Sequence, residues 1–578
     1  TVALGGTEVA APGGDVRPQV VGIWSELDAD RDPIAGTDVR FAADNRFDSA
    51  PSTLKVVAGA LAIVALLGCL LVLRRLDDRF GRRLVPTGRL SRRLRGQDWW
   101  RDSTVVALLA GATVFGSMTP DDGYILTIAR GDLTSGYVGN YYRWFDVPEA
   151  PFGWFYELYS RWLQVSDAVL WLRLPAFAMG VASWFLISRA LLPRIGTAVR
   201  RSRSAGWAAA GVFLCFWIPF DNGLRPEPVV VIAALVSLVL LERALVMQRL
   251  LPVAGALVSG AFAVAATPTG LIAFAPLLAA ARPLLRLLSR RARAAGWFAV
   301  LAPLAAAGVV VLVAVFGDQT WQTIAEATRV RTEIGPNQPW YQELYRYQLL
   351  FSNTRDGSLM RRFPVLVLML CLGVSIAVLL RRGRIPGAAL GVSRRLIGSS
   401  LLAFVVLALT PTKWTHHFGA FAALGAGMAA VAALATATSV LRSRRNQALL
   451  VAGLLVVTAV AFAGPNTWWY VSNWGVPWFD KPPSVNGISA TSLLLLAAAA
   501  TLVYALAEHL RGPAVPRPLD RRGRRLNNAP IAVVCALLVV FQIASLAKGV
   551  QKQWGSFSLA GDVVADPAGS RCGLAGRV

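Results

Sequence analysis

Charged side chains are scarce in this chain of 578 residues, since Asp, Glu, Lys and Arg together make up only 16%. Soluble domains usually carry about a quarter charged residues, so this composition excludes an ordinary soluble multidomain protein. Histidine and cysteine are rare as well, with three and five residues, and no paired CxxC offers the ligands of a zinc site. No glycine-rich loop of the nucleotide-binding type is present.

Apolar residues are abundant instead, at 55% of the chain, and they occur in long uninterrupted runs. A helix needs roughly 20 apolar residues to cross a bilayer, and these runs are about that long. The pattern predicts an all-α polytopic membrane protein with about fourteen transmembrane helices. The predicted spans are residues 54–73, 103–118, 167–190, 206–220, 229–248, 250–265, 271–281, 297–316, 363–380, 398–410, 419–440, 449–463, 490–508 and 529–546.

The net charge of +25 is distributed unevenly between the two sets of alternating loops. The excess of Lys and Arg lies in every second loop, beginning with residues 74–102, whereas the other set is nearly balanced. Positive charge marks the cytoplasmic side of short loops, so both chain ends are predicted to lie outside. This distribution argues against a nucleic-acid partner and suits a membrane with anionic lipids.

The predicted spans and their flanking segments divide the chain into three parts. Residues 1–53 are expected to be the remnant of an N-terminal periplasmic β domain, because residues 20–47 alternate like strands. Residues 54–546 form the membrane domain, and residues 547–578 look like the start of a second outer domain. Cys572 lies in that tail, whereas the other four cysteines fall within predicted spans and are expected to pack there.

Two adjacent carboxylates, Asp121 and Asp122, directly follow the second predicted span on the outer side. A carboxylate at the membrane boundary is well placed to act on a substrate whose lipid tail stays in the bilayer. The alternative is that one of them caps the helix that is predicted over residues 123–130.

Aromatic and amide residues follow at 139–154 and include one carboxylate, Glu149. They are candidates for stacking on sugar rings, and an ordinary interfacial aromatic belt is the alternative. Arg225 lies in a short outer hairpin with nearby carboxylates. Its forked donors suit a phosphate, and a structural ion pair is the alternative.

The outer segment 410–419 contains two of the three histidines, His416 and His417, beside Lys413 and Trp414. Cationic and imidazole donors gathered between two spans fit an anionic leaving group. A capped loop with interfacial aromatics is the alternative, and no metal is expected because further ligands are lacking.

An outer-face site has no access to nucleotide sugars, which stay in the cytosol. The activated sugar that remains available is one carried on a lipid phosphate. Such a donor needs a general base for the acceptor hydroxyl and cations for the departing phosphate, and the residues named above match this inventory.

Seven motifs in order carry a family resemblance over nearly the whole chain. They are DDGYIL (121–126), NYYRWF (140–145), PEAPFGW (148–154), GLRPEP (223–228), TPTGL (267–271), EATRVRT (326–332) and PTKWTHHFG (411–419). Together they resemble the mycobacterial-type Emb membrane arabinosyltransferases, the targets of ethambutol. Relative to that family, the chain looks truncated at both ends, and the resemblance implies that residues 547–578 are the start of a C-terminal periplasmic carbohydrate-binding domain.

The resemblance implies the GT-C glycosyltransferase fold and an inverting transfer of arabinofuranose from decaprenyl-phosphoryl arabinose to the arabinan of arabinogalactan or lipoarabinomannan. It implies Asp121 as the general base with Asp122 beside it, and Tyr124, Glu149 and Trp414 in the donor pocket. The phosphate-binding residues would be the four cationic or imidazole side chains Arg225, Lys413, His416 and His417.

The same resemblance implies a multi-pass protein of the plasma membrane whose site faces the exterior and whose catalysis needs no cofactor. An oligomer with itself or with a paralogue is expected. Two other functions fit a polytopic chain: a non-catalytic scaffold subunit and a transporter of polyprenyl-linked sugars. A transporter should carry polar residues near mid-membrane, whereas here they collect at the outer ends of the spans.

Overall fold

The structure is a computed structural model, and it describes most of the chain. The described residues are 2–4, 7–10, 31, 47, 50–82, 99–140, 144, 146–166, 168–437, 443–469, 473–511, 529–556 and 558–570. The predicted strand pattern of residues 20–47 lies almost entirely outside them, as does Cys572.

The described part of the chain is almost wholly helical. Its α-helices span Thr53–Phe80, Trp99–Phe115, Asp122–Ser135, Gly153–Leu163, Val169–Leu186, Leu192–Ile195, Thr197–Arg201, Arg203–Phe220, Glu227–Met247, Leu251–Val264, Ala275–Ala279, Ala281–Ala295, Trp297–Val309, Leu312–Val315, Trp321–Ile334, Leu344–Leu350, Leu359–Arg382, Leu390–Leu407, Ala422–Ala435, Arg444–Phe462, Ala490–Leu510, Pro530–Lys552 and Leu559–Ala565. A π-helical turn covers Ile187–Leu191, and 3₁₀ helices cover Pro268–Phe274, Trp340–Gln342, Arg355–Gly357 and Thr415–Phe421. Three short antiparallel hairpins pair Val2–Leu4 with Thr7–Ala10, Gly139–Asn140 with Val147–Pro148, and Ser484–Val485 with Ile488–Ser489.

The predicted all-α polytopic fold is confirmed. Within the described residues, ten helices are long and apolar enough to cross a membrane, or eleven if one bent pair counts as a single span. The remaining predicted spans coincide with helices that fall short of that test, such as Trp99–Phe115 with 17 residues and Leu251–Val264 with 14. The predicted span 271–281 is part of the bent pair, which turns by 66°.

The bundle is built around two neighbouring helices, Arg203–Phe220 and Ala422–Ala435, whose side chains are almost all buried. A helix that is apolar on every side belongs in the centre of a bundle rather than at its surface. Small residues allow the close approach: a Cβ added at Gly425 would lie 2.8 Å from the ring of Phe216. Close backbone contact of this kind is the usual basis of helix packing in membranes.

Side chains close the end of the helix Trp99–Phe115, where the chain turns towards the candidate site. Arg173 donates to the carbonyls of Thr113 (3.0 Å) and Gly116 (3.1 Å), and Asn222 Nδ2 donates to the carbonyl of Ala112 (2.7 Å). The last carbonyls of a helix have no partner within it, so these bonds replace water that is absent from a packed bundle. They also fix the starting point of the segment that carries Asp121.

Candidate active site

Asp121 occupies the N-cap position of the helix Asp122–Ser135, but its side chain makes no capping hydrogen bond. Its backbone has φ 67°, in the left-handed region that few residues other than glycine adopt. The carboxylate is 39% exposed and contacts Nη1 of Arg225. Helix capping therefore does not account for Asp121, and strained backbone at an exposed carboxylate is typical of functional sites.

Asp122 is placed quite differently, although the sequence suggested a shared catalytic role. Its Oδ2 accepts from the backbone of Thr119 (2.8 Å), and its Oδ1 accepts from the Thr119 hydroxyl and from the backbone of Leu224 (2.9 Å). Burial raises the pKa of this carboxyl, and the hydrogen bonds from Thr119 and Leu224 oppose that shift. Asp122 therefore joins two loops, and its oxygens are already occupied inside the protein.

Arg225 lies between two carboxylates. Its Nε and Nη2 donate to the oxygens of Glu227 at 2.9 and 3.0 Å, and its Nη1 reaches Asp121. The ion pair that the sequence left open is therefore present in the structure. Because the guanidinium lies between both acids, Arg225 fixes the position of the Asp121 carboxylate.

A second network surrounds Glu149, whose carboxylate is buried. It accepts from Tyr124 Oη (2.9 Å) and Asn140 Nδ2 on one oxygen, and from Arg331 Nη2 (3.0 Å) on the other. Arg331 also donates to the backbone oxygens of Pro148 (2.7 Å) and Ala150 (2.5 Å). The predicted sugar-binding residues Tyr124 and Glu149 are thus in direct contact, and Arg331 holds the loop that carries Glu149.

The 3₁₀ helix Thr415–Phe421, called the histidine segment below, carries both histidines. It leads directly into Ala422–Ala435, the central helix of the bundle. His416 lies parallel to Trp414, with ring centroids 6.5 Å apart, and its ring is perpendicular to that of His417 at 4.5 Å. A ring nitrogen of each histidine and an oxygen of Glu227 lie within 4.8 Å of one another. The predicted segments around Arg225 and the histidines therefore meet, although about 190 residues separate them in sequence.

The trio of Glu227, His416 and His417 has donor types that would suit a transition-metal ion. However, both oxygens of Glu227 accept from Arg225, and Nδ1 of His417 faces Nη1 of Arg346 at 2.6 Å. These contacts already engage the carboxylate of Glu227 and one ring nitrogen of His417, so a metal ion at the trio would have to displace them. The trio is therefore part of a hydrogen-bonded network with Arg225 and Arg346 rather than an open set of metal ligands.

The ammonium group of Lys413 is held by backbone carbonyls. Its Nζ donates to the carbonyls of Ala408 (2.6 Å) and Thr410 (2.7 Å), with Glu343 at 3.7 Å. The side chain is fully buried, and burial lowers the pKa of its ammonium group. Lys413 closes the end of the helix Leu390–Leu407, in line with the capped loop that the sequence had left open as the alternative, and its contact with a phosphate stays a prediction.

Asp221 is a fully buried carboxyl whose two oxygens have no hydrogen-bond partner in the described part of the chain. Burial and the neighbouring Glu227 raise its pKa well above the usual range. Gly419 is required beside it, because a Cβ there would lie 2.4 Å from Oδ1 of Asp221. The glycine lets the histidine segment pack against the hairpin that carries Arg225.

Two further arginines at the site were not singled out from the sequence. Arg346 is fully buried under the histidine segment. Arg361 donates to Asp356 (3.1 Å) and to the hydroxyl of Thr415 (3.1 Å), at the start of an apolar helix. Arginine at the predicted outer end of a span runs against the usual distribution of positive charge, and that was the signal available for Arg361.

Comparison with known proteins places this geometry in a family. Residues 50–511 match the family model described as "Mycobacterial cell wall arabinan synthesis protein". The chain is 42% identical over 573 residues to probable arabinosyltransferase C of Mycolicibacterium smegmatis and 43% identical over 575 residues to probable arabinosyltransferase B of Mycobacterium avium. Each alignment covers 98% of this chain and 52% of the relative.

The fold is shared with a solved structure, the single-particle cryo-EM structure of arabinosyltransferase EmbB from Mycobacterium smegmatis. The TM-score is 0.81 at 42% sequence identity, over 92% of this chain and 48% of EmbB. The chain thus spans about half the length of the relatives that it matches. By sequence and by fold it is a polytopic membrane protein that belongs to the Emb family of mycobacterial cell wall arabinan synthesis proteins.

Proposed function

We propose that this chain is the membrane-embedded catalytic part of an arabinosyltransferase. It would transfer arabinofuranose from decaprenyl-phosphoryl arabinose to the growing arabinan of arabinogalactan or lipoarabinomannan, on the outer face of the plasma membrane. The lipid-linked sugar is a substrate, and no cofactor takes part. The names of its relatives support the sugar, and the chemistry of the site supports the class of donor.

The observation that carries the proposal is the placement of Asp121. It is the exposed carboxylate of the DDGYIL segment, and it is oriented by Arg225 beside the histidine segment. In the proposed step, Asp121 takes the proton of the acceptor hydroxyl. At the same time the oxygen of that hydroxyl forms a bond to the anomeric carbon of arabinose. The bond from that carbon to the phosphate oxygen breaks, the phosphate leaves with the electron pair, and the configuration inverts.

The surroundings suit an anionic leaving group. Arg225, Arg346 and Arg361 lie around His416 and His417 at one end of the bundle. Positive charges that are fixed near a departing phosphate stabilise the charge that develops on it, without the reorganisation that water would need. The buried pair of Tyr124 and Glu149 offers fixed polar groups for the sugar ring, and Trp414 offers an aromatic face.

The test is transfer of labelled arabinose from decaprenyl-phosphoryl arabinose to a short arabinan acceptor, in nanodiscs. Asp121→Asn should lower turnover by about a hundred- to ten-thousand-fold, the usual contribution of a general base. Asp78→Asn is the matched control, because Asp78 is half exposed at the far end of the helix Thr53–Phe80. Its turnover should equal that of the parent protein.

Unfolding temperatures of both variants identify any loss that comes from misfolding. Equal transfer by the parent and Asp121→Asn would remove Asp121 from the base role. If the folded parent protein transferred nothing, the chain would fit a scaffold subunit in an oligomer with a paralogue.

A further inference from the structure

Arg346 holds the histidine segment from inside the protein. Its side chain is fully buried and donates to the carbonyls of Thr412 (3.2 Å) and Trp414 (2.6 Å) and to the hydroxyl of Thr410 (2.9 Å). Its remaining contacts include an ion pair with Glu343 at 2.7 Å. Since five N–H groups are fixed on one planar fork, the guanidinium holds this loop in a single arrangement.

One of these contacts is with a side chain rather than with the loop backbone. Nη1 of Arg346 lies 2.6 Å from Nδ1 of His417. A guanidinium has donors and no acceptor, and it stays protonated in proteins. Nδ1 of His417 must therefore accept, so it carries no proton, and the ring proton lies on Nε2.

We propose that Arg346 is a positioning residue that holds His417 in the Nε2–H tautomer, as a fixed hydrogen-bond donor to the phosphate of the lipid-linked substrate. The ligand in this statement rests on the proposed function, whereas the tautomer rests on the contact between Arg346 and His417 alone.

The second ring nitrogen supports a ligand role. Because Arg346 occupies Nδ1, Nε2 is the nitrogen of His417 that is left to donate to a ligand. The opposite tautomer would turn a nitrogen lone pair towards phosphate oxygens and repel them. Fixing the proton on Nε2 removes that repulsion before the substrate binds, which is the advantage of a preorganised site.

The first experiment reads the tautomer directly, without any activity measurement. The chain contains only three histidines, so a protein labelled with ¹⁵N in the histidine rings gives few signals. A His509→Gln background removes the third histidine, and His417→Gln assigns the remaining pair. We expect an unprotonated Nδ1 and a protonated Nε2 for His417 in the parent protein. A protonated Nδ1, alone or together with Nε2, would overturn the inference.

Two substitutions at Arg346 test the cause. Lysine is also a donor without an acceptor, so Arg346→Lys should keep the Nε2–H tautomer. Glutamine can accept through its amide oxygen, so Arg346→Gln should give His417 a mixture of both tautomers. The same ring signals in both variants would show that Arg346 does not select the tautomer.

The ligand is tested with a polyprenyl monophosphate and with the corresponding polyprenol, each added to the labelled protein. The Nε2 signal of His417 should move with the phosphate and stay unchanged with the alcohol. An Nε2 signal that stays unchanged with both compounds, or that moves equally with both, would overturn the phosphate contact and leave the tautomer result intact.

Matched variants of the histidine connect the tautomer to turnover. Glutamine places an amide N–H close to the position of Nε2, whereas asparagine places one close to Nδ1. We therefore expect His417→Gln to retain most of the kcat/KM for the lipid donor and His417→Asn to lose about 10- to 100-fold, as for a lost hydrogen bond to a charged group. Equal losses would contradict the assignment of Nε2. A parent protein without transfer activity would count against the proposed function and leave the ring signals as the test of the tautomer.

Discussion

Oδ1 of Asp122 accepts a hydrogen bond from the backbone of Leu224 at 2.9 Å, across about 100 residues of sequence. Together with the bonds from Thr119, it joins the segment that carries Asp121 to the hairpin that carries Arg225. The two adjacent carboxylates therefore differ in role. Arg225 orients Asp121, whereas Asp122 connects the two loops.

Asp122→Asn should therefore destabilise the fold. Either orientation of the amide turns its NH₂ group towards a donor, the backbone N–H of Thr119 or that of Leu224. An unsatisfied buried donor costs about 1–3 kcal/mol, so the unfolding temperature should fall. Thermal unfolding in nanodiscs measures the effect, with Asp78→Asn, at a half-exposed position, as the control of unchanged stability. An unchanged unfolding temperature for Asp122→Asn would contradict the connecting role.

Glu149→Gln should weaken the donor pocket. The amide cannot accept from Tyr124 and Asn140 on one side and from Arg331 on the other with the strength of a carboxylate. Losing a charge-assisted hydrogen bond costs about 1.5–3 kcal/mol, so kcat/KM for the lipid donor should fall at least tenfold. Tyr124→Phe, which removes one neutral donor, should cost less. A larger loss for Tyr124→Phe would reverse this ranking.

The stability of the protein should depend on pH through Glu157. Burial, with repulsion from Asp318 and Asp132, raises the pKa of Glu157 to about 7. A carboxyl whose pKa in the folded state is raised above its ordinary value of 4.5 binds its proton more tightly when folded. Stability should therefore fall as pH rises from about 4.5 through 7 and stay constant above that window.

The measurement is the unfolding temperature across that pH window. Glu157→Gln should flatten the dependence, because the amide does not titrate. Glu333→Gln is the control, since Glu333 is 60% exposed and paired with Arg329. It should leave the pH profile as it is in the parent protein. A profile for Glu157→Gln that follows the parent would assign the dependence to other groups.

Lys413→Met should lower the unfolding temperature without changing the KM for the lipid donor. The substitution leaves the carbonyls of Ala408 and Thr410 without the donor that they now share, in a fully buried position. Each unsatisfied carbonyl costs about 1–3 kcal/mol. A raised KM at unchanged stability would instead return Lys413 to the phosphate-binding residues that the sequence suggested.

Gly425→Ala should destabilise the centre of the bundle. The new methyl group would lie 2.8 Å from the ring of Phe216 and 3.2 Å from Val212. Overpacking of this kind typically costs about 1–3 kcal/mol. Gly373→Ala is the matched control, because no atom of the described residues lies within 4 Å of a Cβ there, and it should be neutral or slightly stabilising. Equal unfolding temperatures for the two variants would contradict the close packing of Gly425.

The sequence predicted the helices well because length and hydropathy alone decide whether a segment can span a bilayer. Every predicted span overlaps a helix in the described part of the chain. Where the helix is bent or too short to span a bilayer, the cause is local. The predicted span 271–281 begins in the 3₁₀ helix Pro268–Phe274 and ends near the 66° bend, so it does not form one straight helix. Sequence patterns do not specify a bend that depends on packing.

The sequence identified segments that the structure brings together, but not the contacts of their side chains, and the roles of those side chains stay predictions. Polar residues are costly near a membrane, so their positions marked Asp121, Glu149, Arg225 and His416. Which way each side chain turns depends on partners that are far away in sequence. Lys413 looked like a phosphate ligand because its charge was visible, whereas the carbonyls that it contacts were not.

The central helix links this chemistry to the mechanics of the bundle. The segment Thr415–Ala435 is buried throughout, and His416 and His417 are its second and third residues. Close-packed interiors have low compressibility, so the imidazole groups lie on a rigid part of the bundle. Substrate entry and product escape must therefore be accommodated by the surrounding loops, and the rate of turnover should follow the motion of those loops rather than that of the histidines.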